Sequence, residues 1–155
     1  MRGVLNFLVS VYTRIRKSIV EKINMVPITT YPITPFNMEY FTFKEFDCPC
    51  QKGSGRSMDK DFLIQLDTAR AIAGIPFKIT SGYRTKEHNK KVGGVAQSSH
   101  LKGLAADISI THSTNRFIVI SALLEVGITR IGVGKNFLHC DCDKEKSQSV
   151  MWTYY

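Results

Sequence analysis

The run Arg130-Ile131-Gly132-Val133-Gly134-Lys135-Asn136-Phe137-Leu138-His139-Cys140-Asp141-Cys142 decides how the chain folds. Arg130 to Val133 and Phe137 to Cys142 have strand composition, and the intervening Gly-Lys-Asn is turn chemistry, so the spacing predicts two strands joined by a tight turn. Side chains alternate across a strand, which places His139 and Asp141 on one face and turns Cys140 and Cys142 to the other, as small apolar residues facing the core.

Outward from this hairpin, Trp152 to Tyr155 reads as an added edge strand. Upstream, Ser113 or Thr114 caps a helix that runs through Phe117, Ile118, Ile120, Leu123 and Leu124 to Gly127. Leu104 to Ile110 is a strand with Asp107 beside small Ala105 and Ala106. Val92-Gly93-Gly94 is a break, Thr85 to Lys91 a short polar helix, Ser81 to Arg84 a turn, and Ile75 to Thr80 a short strand. Ser57 and Asp59 open a further helix whose buried side is expected to use Phe62, Leu63, Leu66 and Ile72, with Gly74 ending it. Gln51 to Ser57 is a Gly/Ser loop, and Phe41, Phe43 and Phe46 supply aromatic anchors. These elements predict an α+β domain over residues 39–155, with helices on one face of a small, mainly antiparallel sheet.

The N-terminal part reads differently. Val4, Leu8, Tyr12, Ile15, Ile19 and Ile23 recur at helical spacing among Arg14, Arg16, Lys17 and Lys22, so residues 1–25 are expected to form a basic amphipathic helix. It suits either contact with an anionic membrane or packing on the main domain. Pro27, Pro32 and Pro35 then exclude a helix, and residues 26–38 read as a Pro-rich linker.

With 155 residues and 43% hydrophobic content, the chain has material for a core, which excludes a fibre or a disordered tail. Lys+Arg 21 against Asp+Glu 13 leaves +8, with a sequence pI of about 9.4, so the surface should attract polyanions. Without a helix-turn-helix or zinc-finger pattern, nucleic acid is not an expected partner. The best apolar run is interrupted by Asn6, Arg14 and Arg16, short of the ~20 residues that span a bilayer. The four cysteines form two Cys-x-Cys pairs, Cys48/Cys50 and Cys140/Cys142. They are too few for a disulfide scaffold, and one intervening residue fits poorly with the spacing of structural zinc sites.

A catalytic zinc site needs three nitrogen, sulfur or carboxylate ligands and an open fourth position. His100, just before the Gly103 turn, Asp107 on the following strand, and His139 on a later strand could supply that set. His88 and His112 are left outside it, and Asp143 is expected to be solvated at a strand end. Tyr83 and Trp152 either pack in the core or line a cleft.

The segment Ser98-Ser99-His100-Leu101-Lys102-Gly103-Leu104-Ala105-Ala106-Asp107 resembles the Ser-x-His-x-x-Gly-x-Ala-x-Asp motif of the zinc D-alanyl-D-alanine carboxypeptidase family, which includes phage endolysins. Ser81-Gly82-Tyr83-Arg84, Asn89 and Val92-Gly93-Gly94 precede it, and Phe137-Leu138-His139-Cys140-Asp141 follows, in the order this family shows. The resemblance covers roughly residues 39–155 and is nearest to the small subfamily whose last motif is His-x-Asp. It implies the peptidase fold shared with the hedgehog signalling domain and one zinc ion held by His100, Asp107 and His139. It also implies hydrolysis of peptidoglycan stem peptides or cross-links at the bacterial envelope; the chain is expected to be a monomer. Arg84 resembles the family arginine that holds a substrate carboxylate or carbonyl, and Ser98 occupies a position that can hydrogen-bond substrate.

The chain departs from related branches at the general base, where Asn136 and Phe137 stand in place of an acid or histidine. Asp141, on the face of His139, is the substitute candidate for the catalytic base, and the alternative is that it orients His139 through the other ring nitrogen. The departure keeps a second function in play, a non-catalytic zinc-containing binding module of the same fold.

Overall fold

Asp59 accepts the Phe62 amide at 2.9 Å and so starts the first helix, α1, Lys60–Ala73, which Gly74 ends. The computed structural model describes residues 37–154. The expected helix over 1–25, most of the 26–38 linker and Tyr155 lie outside them. Thr85 caps α2, Lys86–Lys91, by accepting the His88 amide, and α3 runs over Ser113–Glu125 after an extended His112. Single 3-10 turns occupy Phe43–Phe46, Ser54–Ser57 and Ser99–Lys102. None of these helices is long and apolar enough to cross a membrane.

The strands are β1, Ile79–Ser81; β2, Ala105–Ser109; β3, Arg130–Val133; β4, Phe137–Asp141; and β5, Val150–Thr153. They form one sheet in the order β1-β2-β4-β3-β5. The first three pairings are antiparallel, and β5 joins β3 in parallel, so the sheet is mixed within an α+β fold. Strand β1 is shorter at its start than Ile75 to Thr80, because pairing with β2 begins only at Ile79.

One face of the sheet carries Ala106, Ile108, Ile131, Leu138 and Cys140 against Phe62, Leu63, Leu66 and Ala69 of α1 and Val119, Ala122 and Leu123 of α3. Burying a Leu or Phe side chain of this kind contributes about 1.5–3 kcal/mol, so this layer anchors the sheet. Cys140 sits fully inside it and Cys142 packs against its edge, as the strand alternation predicts. Ile72, expected in the core, is 45% exposed instead. The buried stripe of α1 follows Phe62, Leu66, Ala69 and Ala73, and Ile72 lies beside it.

Candidate metal centre

The opposite face of the sheet is polar, and its register explains why. Ser81 pairs with Asp107, Asp107 with His139, His139 with Gly132, and Gly132 with Trp152, so four strands deliver one row of side chains, with Gly132 of β3 as the gap in it. A second row holds Ala105, Asp141, Arg130 and Val150. Alternation along β4 therefore turns His139 and Asp141 away from the core that Leu138 and Cys140 fill.

His100 reaches the same place from the turn Ser99–Lys102, which ends at Gly103. Gly103 has φ 73, and a Cβ there would lie 2.3 Å from the Ser57 carbonyl oxygen, so glycine meets both the left-handed backbone and the close approach. The His100 Nδ1–H donates to the Gly82 carbonyl at 2.7 Å, which leaves Nε2 with its lone pair facing the sheet. Gly82 is itself pressed against Phe46, whose Cα would lie 2.6 Å from an added Cβ, and the Tyr83 amide donates to the Phe46 carbonyl.

His139 is fixed from behind. Its Nε2–H donates to Asp141 Oδ2 at 3.1 Å, while Asp141 Oδ1 accepts Arg130 Nε at 2.8 Å and the Asp143 amide at 3.0 Å. Burial pushes the Asp141 carboxyl up, yet His139, the Asp143 amide and Arg130 outweigh it and hold the group below the ordinary carboxylate range. An ionised Asp141 only accepts, so the tautomer follows: neutral His139 presents Nδ1 as a lone pair toward the cleft.

Three electron-rich atoms consequently converge. His139 Nδ1 lies 2.9 Å from Asp107 Oδ1, and His100 Nε2 lies 3.3 Å from each of them. A tetrahedral centre with ~2.0–2.1 Å bonds to nitrogen and oxygen has donor–donor edges of ~3.3 Å, so the set has the size and chemistry of three zinc ligands. Lone pairs this close repel unless a proton or a cation sits among them. Burial lowers the His100 pKa and keeps that ring neutral. Burial also opposes charge on Asp107 and His139, but their mutual hydrogen bond, with those to His100 and Asp141, holds Asp107 well below and His139 above their usual values.

These groups line a cleft of about 520 Å³, within the range of small-ligand sites. Arg84 and Ser98 both line it. Arg84 Nη2 donates to Asp107 Oδ2 at 2.6 Å and Nε to Ser81 Oγ at 2.8 Å, so its guanidinium is oriented at the rim of the metal set. Trp152 and Tyr154 form an aromatic wall, with ring centroids 5.6 and 6.5 Å from His139. Gly132 makes room for them, since a Cβ there would fall 2.6 Å from Tyr154 and 2.8 Å from Trp152. Tyr83 packs against the core instead.

Two participants were not read from the sequence. Arg130 holds Asp141, bonds the Ser147 carbonyl and lies over the Trp152 ring at 5.4 Å; its signal is a charge within a short apolar strand. Asp143, expected to be solvated, is fully buried, because Lys102 Nζ at 3.1 Å and Ser99 Oγ at 3.0 Å enclose it. Through that contact the chain after β4 is tied to the turn that carries His100.

A family model described as Peptidase M15 matches residues 39–141, the span that holds the His100 turn and both rows apart from Trp152 and Val150 of β5. No curated protein matches the chain.

Proposed function

Because the chain belongs to the Peptidase M15 family, and so to peptidases acting on a peptide substrate, we propose that it is a zinc metallopeptidase that hydrolyses peptide bonds in peptidoglycan stem peptides or cross-links. The observation that carries this reading is the convergence of His100 Nε2, Asp107 Oδ1 and His139 Nδ1, three donors suited to one zinc ion. When bound, that ion supplies a Lewis acid that polarises the scissile carbonyl and brings the pKa of water toward ~7.

The protein's own groups do the rest. Gly82 and Asp141 each take one ring proton, from His100 and His139, and thereby aim the opposite nitrogens inward. Of the two roles open to Asp141, we assign it the orienting one, since its carboxylate is engaged by His139, Arg130 and the Asp143 amide on the far side from Nδ1. Arg84, pinned by Ser81 and Asp107, stands where a planar cation can hold a substrate carbonyl or terminal carboxylate, and Ser98 can hydrogen-bond the same chain. Trp152 and Tyr154, their rings inclined at 63°, offer an apolar wall that sheds water from the bond to be cut.

Among the described residues, Asp107 and Asp141 are the carboxylates lining the cleft, and both are engaged. That observation favours a second reading, a zinc-containing binding module of the same fold. Mass spectrometry of purified peptidoglycan fragments incubated with the protein separates the two. Defined peptide products that a zinc chelator abolishes are expected for the peptidase; intact fragments after incubation with zinc-loaded protein would leave the binding module.

A further inference from the structure

Away from the cleft, a second group of ligand atoms converges. Gln51 donates its amide to the Cys48 carbonyl at 2.9 Å, closing a turn whose second residue is Pro49, a residue preset for that position. The turn swings Cys48 and Cys50 to one side, with their Sγ atoms 3.0 Å apart. It is held from behind: Asp47 accepts the Gly53 and Gly55 amides, and Ser54 Oγ accepts the Cys48 amide at 2.8 Å. His88 comes from the first turn of α2, and one ring nitrogen joins the two sulfurs within 4.8 Å. Thr85, which caps that helix, contacts Cys50 Sγ at 3.2 Å.

We propose that Cys48, Cys50 and His88 bind a second zinc ion, which fastens the Cys48-Pro49-Cys50 turn to α2. Two thiolates and an imidazole are the ligand types zinc prefers, and they come here from two elements far apart in sequence. One intervening residue is fewer than the two to four that usually separate paired ligands of a structural zinc site. In a turn the same spacing brings the sulfurs together. A tetrahedral site with ~2.3 Å Zn–S bonds needs sulfurs ~3.8 Å apart, and the exposed Cys50 side chain is free to open that distance while buried Cys48 stays fixed.

The clip would be structural for the cleft. Arg84 immediately precedes Thr85, and Gly82, whose carbonyl orients His100, abuts Phe46 two residues before Cys48.

The test uses the reduced full-length chain titrated with cobalt(II) alone under anaerobic conditions. His100, Asp107 and His139 offer no sulfur, so a thiolate-to-cobalt charge-transfer band in the near ultraviolet reports this site only. The band should saturate by two equivalents in the wild-type chain, whose cleft also takes cobalt, and by one in His100→Ala, and it should disappear when zinc is added. Cys50→Ser should abolish it and His88→Ala should weaken cobalt affinity by at least about tenfold. Zinc content should fall from two ions per chain to one in Cys50→Ser. In His100→Ala it should also fall to one, with the band kept, so failure of this site is distinguishable from failure of the cleft site. No thiolate band in the reduced wild-type chain overturns the proposal, as does a band that persists in both Cys50→Ser and His88→Ala. A Cys48–Cys50 disulfide recovered after thiol trapping at lysis also overturns it.

Discussion

At the residue scale, the atom that matters most is the second nitrogen of His139. Its Nε2–H is spent on Asp141 and its Nδ1 faces Asp107 and His100, so the imidazole transmits the Asp141 charge into the cleft. Asp141→Asn should therefore weaken zinc binding by about 10- to 100-fold, the usual effect of losing a carboxylate behind a ligating histidine, as read by competition with a chromogenic chelator. Full zinc retention with lost turnover would instead return Asp141 to the role of base. The pH response follows from the same contacts. Burial disfavours the imidazolium of His139, but Asp107 and Asp141 outweigh it and raise the pKa above the ordinary 6.5. Zinc must displace that proton, so affinity should begin to fall as pH drops while still above ~6.5, earlier than for an unperturbed histidine. Isothermal titrations in buffers of different ionisation heat should show a proton released on binding near neutral pH. His100, held neutral by burial, should contribute no proton there.

At the scale of elements, the His100 turn is the part most exposed to a single substitution. A methyl group on residue 103 would need a left-handed backbone costing ~1–2 kcal/mol and would meet the Ser57 carbonyl at 2.3 Å and Met58 Cα at 2.8 Å. Gly103→Ala should cost at least about 2 kcal/mol in urea unfolding and should lower zinc affinity with it, because the displaced turn carries His100. Elements written in local pattern were legible from the sequence: Asp59 and Gly74 bracket α1, and the alternation in Phe137 to Asp141 separates the polar face from the core. What required the third dimension was not. Ile72 has the hydrophobicity of a core residue but sits one position off the stripe that Ala69 and Ala73 complete. Strand β5 pairs in parallel with β3, an arrangement set by the chain between Asp143 and Ser149 and not by the strand's own composition. Asp143 is buried by Ser99 and Lys102, more than forty residues away, and no local signal carries that. His100, Asp107 and His139 stood out as residue types, but their convergence depends on the antiparallel register of β2 and β4.

At the scale of the whole molecule, charge is distributed unevenly between the described domain and the segment before it. Arg2, Arg14, Arg16, Lys17 and Lys22 against Glu21 alone place half of the net +8 within residues 1–36. A cation close to an anionic membrane surface contributes about 1 kcal/mol, so an excess of four is worth roughly a thousandfold in partition. The domain's own excess is spread over a larger surface, where Lys102, Arg84 and Arg130 are already occupied by Asp143, Asp107 and Asp141. If residues 1–25 meet an anionic membrane as their amphipathic pattern suggests, the full chain should co-sediment with vesicles containing anionic lipid and be released as ionic strength rises past the point where the Debye length falls to ~8 Å. Removing residues 1–36 should lower that partition by two to three orders of magnitude, while zinc stoichiometry stays that of the full chain, since every proposed ligand lies in the described residues. Equal sedimentation of both forms would assign the lipid affinity to the domain surface, and sedimentation of neither would leave the basic segment to packing on the domain.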